Sequence, residues 1–238
     1  MSMGRFIRRG ILCLLLFLYI LHGTSWAWND RTHMAIAKAA GYWYWYYAGA
    51  ADIAKIKAGT IEERNHYFGN DKNAEVSVKT VLDQAERYNN PNDTEGHLYG
   101  AIIASLREFR IAKSMGKDAE YQMAYTVHYI GDLSEPLHNI PYDNFNKAHH
   151  AINDNTVENV MDKIEEIQKS MYEINLRADH FEEDLAKEIA RIANVSRVLG
   201  VKLRTENRDM TPNEGLAQIG HSASLLKAVL EGIGKSDR

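Results

Sequence analysis

His128-Tyr129-Ile130-Gly131-Asp132-Leu133-Ser134-Glu135-Pro136-Leu137-His138 reads HYIGDLSEPLH. His128 and Asp132 are four residues apart, so on a helix their side chains stack on one face and reach the same point in space. Pro136 disfavours helical geometry at the residue before it, which ends the helix near Glu135 and lets His138 approach from a loop. Further along, His150-Ala151-Ile152-Asn153-Asp154 repeats the pairing of a histidine with a carboxylate at the same spacing. One such pair is weak evidence, because surface helices produce it by chance. Two pairs plus a loop histidine predict a metal cluster. Nitrogen and carboxylate oxygen without thiolate suit zinc, with manganese or iron as alternatives.

Outward from this stretch, apolar residues recur at three-and-four spacing. They do so at Leu98, Ile102, Leu106 and Phe109, then at Val157, Val160, Ile164, Ile167, Met171 and Ile174. Leu185, Ile189, Ile192, Val195 and Leu199 follow the same rule, as do Leu216, Ile219, Ala223, Leu226, Leu230 and Ile233. This is the period of an amphipathic helix, and no alternating strand pattern interrupts it. The four prolines, at 91, 136, 141 and 212, all fall outside the periodic runs. The expectation is an all-α, single-domain helical bundle with short loops and helices continuing to Arg238. The run YWYWYY, Tyr42 to Tyr47, cannot turn all its rings to one core, so some must line a pocket or reach the surface.

Residues 1–27 carry Arg5, Arg8 and Arg9 ahead of the apolar run Ile11 to Leu21, then Ser25 and Ala27 as small residues before a cleavage point. This reads as a secretory signal, since the apolar run falls short of the roughly 20 residues a membrane span needs. Cleavage between Ala27 and Trp28 would leave residues 28–238 as one secreted or periplasmic domain. The only cysteine, Cys13, lies in that leader, so the expected mature chain has no disulfide and metal is the natural staple. Net charge is −4, and loss of three arginines makes the remainder more acidic. That counts against general attraction to polyanions.

HYIGDLSEPLH resembles the H-x3-D-x5-H core of the zinc-dependent phospholipase C and S1/P1 nuclease superfamily, all-α secreted phosphodiesterases with three zinc ions in a cleft. In that superfamily a tryptophan begins the mature chain and binds zinc through its free amine and carbonyl oxygen. The resemblance implies a trinuclear zinc cleft here, carried by residues between Trp28 and Asp154. Trp28 and His33 would hold one zinc with Asp132. Asp52, His66 and His128 would hold a second, to which Asp132 bridges. His138, His150 and Asp154 would hold the third, with His150 preferred over His149 for its spacing to Asp154. Asp52 would also orient or deprotonate the attacking water. Histidines 97, 149, 180 and 221 have no matching role. An α-amino group, with a reference pKa of about 7.7 to 8.0, can yield its proton to zinc near neutral pH, so processing would also activate the enzyme.

The short gap between His138 and His150, the lack of a glycine-rich insert there, and the run Thr32 to Ile36 resemble the bacterial phospholipase C branch. The resemblance therefore implies hydrolysis of the glycerol-side phosphodiester of a phospholipid substrate, with transient membrane-surface contact and no evident protein partner. Where that branch has aromatics to cage choline, this chain has Ile53 and Glu63, so a cage would have to be rebuilt from residues such as Trp43, Trp45 or Tyr67. Tyr67, directly after His66, also stands where the nuclease branch stacks a base. A single-strand nuclease releasing 5′-nucleotides and a non-catalytic zinc-binding helical domain are the alternatives.

Overall fold

The computed structural model describes residues 28–72 and 74–236. The leader expected over residues 1–27 lies outside them. Among the described residues there is no strand, and ten α-helices run in the order α1 (Asp30–Ala39), α2 (Ala50–Ala58), α3 (Thr60–Glu63), α4 (Val78–Ala85), α5 (Leu98–Ser114), α6 (Glu120–Leu133), α7 (Asn144–Asn153), α8 (Ile164–Ser170), α9 (Phe181–Glu206) and α10 (Pro212–Ser236). No helix among the described residues is long and apolar enough to cross a membrane.

The central element is α6. From Met123 to Leu133 all but Tyr125 are buried, and the helix packs against α1, α2, α5, α9 and α10. The partner in its helical hairpin, α5, buries Leu98, Ile102, Leu106 and Phe109 against the core, as their spacing predicts. Helix α6 stops where expected: Glu135 is extended (φ −75°, ψ 117°) and a 3-10 turn, Pro136–Asn139, follows. Asn139 donates to the carbonyls of Leu133 and Glu135, satisfying acceptors that the helix end leaves free. Gly200 lets α9 press onto this turn, since a Cβ there would stand 2.6 Å from the Pro136 carbonyl oxygen.

Two expectations need correction. Val157 to Ile174 is not one helix: Asn159 adopts a left-handed conformation (φ 50°), a 3-10 turn spans Val160–Asp162, and α8 ends at Ser170 with Met171 extended. The apolar spacing is real, but the backbone is satisfied elsewhere. The Tyr172 amide donates to Ser224 on α10, and Ser170 Oγ caps the Ile167 carbonyl. Loops are also not uniformly short. Residues 86–97 are irregular, and His66 lies in another irregular segment after α3, stitched down by Phe68 N–H to the His138 carbonyl (2.8 Å) and His97 N–H to the Arg64 carbonyl (2.9 Å). Of the aromatic run, Tyr42 is buried and bonded to Glu120, whereas Trp43, Tyr46 and Tyr47 are exposed. The last helix ends at Ser236 among the described residues, and the helix expected to reach Arg238 falls partly outside them.

Candidate metal centre

Asp132 sits fully buried at the C-terminal end of α6, and four imidazoles converge on it. Its Oδ1 is 3.3 Å from His33 Nε2 and 3.5 Å from His138 Nδ1; its Oδ2 is 2.9 Å from His66 Nδ1 and 3.3 Å from His128 Nε2. Each histidine arrives from a different element. His33 comes from α1, whose N-cap Asn29 accepts from the amides of Arg31 and Thr32. Its ring stacks on His128 with centroids 3.8 Å apart. This approach needs Gly131, because a Cβ there would lie 2.3 Å from His33 Nδ1. The glycine of the quoted stretch is thus a space requirement, one that its position in a helix concealed.

Several tautomers are set by partners outside the cluster. His128 Nδ1 donates to the Ala48 carbonyl at 2.7 Å, leaving Nε2 to face Asp132, His66 (3.2 Å) and Asp52 (3.8 Å). His150 Nδ1 donates to Asn146 Oδ1 at 2.9 Å, leaving Nε2 to face His138 Nε2 at 3.2 Å. Asn146 is itself fixed by donating to the Leu137 and Pro141 carbonyls. Fixing one ring nitrogen so that the other keeps its lone pair is how proteins prepare imidazoles for metal.

Three groups of side chains stand close enough to hold an ion: His33, His128 and Asp132; Asp52, His66 and His128; and Glu135, His138 and His150. Asp154 is buried beside the last group, its Oδ2 3.9 Å from His150 Nε2. Trp28 is fully buried in the core, two residues before α1 begins. Asp52, on α2, is the most exposed of the expected ligands, and its Oδ1 accepts from Lys55 at 2.7 Å. His149 points away, stacked on Phe145 and bonded to Asp209 at 2.7 Å, whereas His150 faces His138. His97 is held by Asp93 and Asn65, and His221 by Tyr172.

Sequence reasoning missed Glu135 and Lys55. Glu135 was legible only as the residue that Pro136 forces out of the helix. Lys55 carries no pattern signal beyond standing one turn after Asp52.

The donor set fits bound cations. His33 Nδ1 and Nε2, His66 Nε2, Asp132 Oδ1, Glu135 Oε1, His138 Nδ1 and both Asp154 oxygens are buried and make no hydrogen bond within the protein. So many unsatisfied polar atoms at one spot would be costly unless another charge completes them. Burial would raise the Asp132 carboxyl, yet His128, His138 and His33 outweigh it and hold it well below the usual range. Burial would lower His128, but Asp132 and Asp52 raise it to about 9. Burial pushes His138 down to about 3, and pushes Glu135 up to about 8. These shifts favour a proton on His128 and on Glu135 near neutral pH, which a metal bound at those side chains would displace. A metal bound here, with zinc as the probe, is expected to release protons at pH 7 and to bind more tightly as pH rises toward about 9. Zinc titration calorimetry in buffers of different ionisation enthalpy reads this directly; an apparent enthalpy independent of buffer would contradict it.

A cavity of about 460 Å³ opens onto His138 and His150 and is lined by Glu63, Arg64, Tyr67 and Tyr142. A larger groove of about 710 Å³, lined by Gln168, Tyr172, Lys227 and Glu231 among others, contains none of the cluster. No protein-family model, curated protein or solved structure matches the chain.

Proposed function

We propose that this chain is a zinc-dependent phosphodiesterase of the phospholipase C type, holding three zinc ions and hydrolysing the glycerol-side phosphodiester of phospholipids with water. The observation that carries the reading is the convergence of four histidines on buried Asp132, with half-buried Asp52 at the edge of the same cluster. The cluster would hold zinc, which would supply a lowered pKa for bound water, toward about 7, and offset charge developing on phosphate.

The protein's own groups divide the remaining work. Asp132 ties the first two positions together, as the shared neighbour of His33, His66 and His128. Asp52, within reach of His66 and His128 and open to solvent, orients the attacking water and accepts its proton. Lys55, 2.7 Å from Asp52 Oδ1, brings a cation to the same edge, where it would help to balance a phosphate oxygen. Trp28 contributes its terminal amine after cleavage between Ala27 and Trp28, which places the mature protein outside the cytoplasm.

Support for lipid comes from the aromatic run. Trp43 is 81% exposed, and Tyr46 and Tyr47 are nearly half exposed. They immediately precede Ala48, whose carbonyl holds His128, and Asp52. Tryptophan and tyrosine with apolar rings and polar tips suit the boundary between lipid and water. One observation favours the nuclease alternative: Tyr67 and Tyr142 line the cavity beside His138 and His150, where a base could stack.

Phosphorus NMR on zinc-loaded protein beginning at Trp28, given mixed phospholipid micelles and single-stranded DNA together, separates these readings. The expected result is loss of the lipid diester signal with growth of a phosphorylated head group. Growth of 5′-nucleotide instead would favour the nuclease. No change in either signal would leave the cluster as a non-catalytic metal site.

A further inference from the structure

We infer that Glu135 is a ligand of the third metal position, which the chain then closes with four side chains: Glu135, His138, His150 and Asp154. This rests on the metal-dependent reading above and goes beyond it in naming the ligand and the consequence.

Glu135 is fully buried. Its Oε2 accepts the His138 amide at 2.8 Å, capping the 3-10 turn and fixing the plane of the carboxylate. The other oxygen, Oε1, makes no hydrogen bond within the protein. Ligand-capable atoms of Glu135, His138 and His150 all lie within 4.8 Å of one another. The two imidazole Nε2 atoms are 3.2 Å apart. Two nitrogens bound to one tetrahedral zinc at about 2.0–2.1 Å would be separated by about 3.3–3.4 Å, so the pair is already at ligand spacing.

Asp154 adds the fourth donor. Both its oxygens are buried and make no hydrogen bond within the protein. Glu135 brings one such oxygen to both imidazoles, and Asp154 adds a buried pair beside His150, its Oδ2 3.9 Å from His150 Nε2. With both ionised, two buried carboxylates of this kind would repel each other and lack hydration, whereas one dication coordinated by both would answer both problems. The local chain is built for the purpose: Pro136 forces Glu135 out of the helix, and Asn146 holds His150 in the tautomer that faces His138.

A zinc position filled by four protein ligands holds its ion firmly and leaves no coordination site for water, as structural sites do; catalytic positions keep one open. The third position is therefore the anchor of the cluster, tying α7 to the turn after α6. Water activation falls to the positions built on Asp52 and Asp132.

The test uses the full chain from Trp28, stripped of metal and titrated with zinc, with stoichiometry read by native mass spectrometry and affinity by competition with a chromophoric chelator. Glu135→Gln keeps the acceptor for the His138 amide but removes the charged ligand. It is expected to retain two zinc ions with unchanged affinity and to bind the third about 100-fold more weakly or worse, since loss even of groups behind the ligands weakens metal about 10- to 100-fold. Three ions at wild-type affinity in that variant would overturn the inference alone, and a wild-type chain that binds no zinc would overturn the proposed function with it. If Glu135→Gln does not fold, the zinc-loaded wild type decides. A Glu135 oxygen at about 2.0–2.2 Å from the third zinc is expected; a carboxylate turned away from that ion overturns the assignment.

Discussion

Asp132→Asn is expected to reduce bound zinc from three ions to one and to lower phosphodiesterase activity by about 10³-fold or more. Asp132 is the one side chain that His33, His66, His128 and His138 all face, at 2.9 to 3.5 Å. Two of the proposed metal positions share it, so its loss would remove a ligand from both. Loss of a single preorganised electrostatic group already lowers rates by about 10²–10³. The metal-free protein should suffer as well. Burial disfavours a charge on His128, and Asp132 and Asp52 outweigh that cost to favour its protonated form. Removing one member of such a buried arrangement leaves a charge uncompensated, at a cost of about 3–5 kcal/mol. Zinc content, turnover and thermal unfolding of the metal-free variant read the three effects separately. A variant that keeps three zinc ions would show that Asp132 does not bridge them.

The second large effect concerns the start of the mature chain. Adding a single methionine before Trp28 is expected to leave the helices intact while removing one zinc and about 10²-fold or more of the activity. A terminal amine near its pKa of about 7.7 to 8.0 can give a lone pair to zinc. Once joined in a peptide bond, the same nitrogen has its lone pair delocalised and has none to give. Circular dichroism checks the fold, metal analysis counts the ions and phosphodiester turnover reads the function. Full activity with three ions in the extended protein would show that the amine is not a ligand.

How much of this was legible in the sequence depends on what kind of signal each residue carried. His128 and Asp132 were readable because helical periodicity alone puts them on one face, and Pro136 made the end of that helix readable too. The all-α architecture followed from apolar spacing, which is regular in α5, α9 and α10. The same spacing misled over Val157 to Ile174, because it records which side chains are buried and not whether the backbone bonds to itself. There Ser224, on α10, takes the Tyr172 amide that a continuing helix would have used. Within α9, Val195 fits the period yet is 39% exposed, while Ser196 beside it is buried and bonded to Gln218. Glu135 escaped notice because a carboxylate before a proline reads as a helix terminator, and only the turn that follows swings it against His138 and His150. Gly131 escaped notice because the ring it makes room for, His33, is distant in sequence.

The most direct test of the account is a crystal of the chain beginning at Trp28, grown with zinc, and measured on both sides of the zinc absorption edge. Three anomalous peaks are predicted: one between His33 and Asp132, one among Asp52, His66 and His128, and one between His138 and His150. No peak at these side chains would contradict the metal centre and the function built on it.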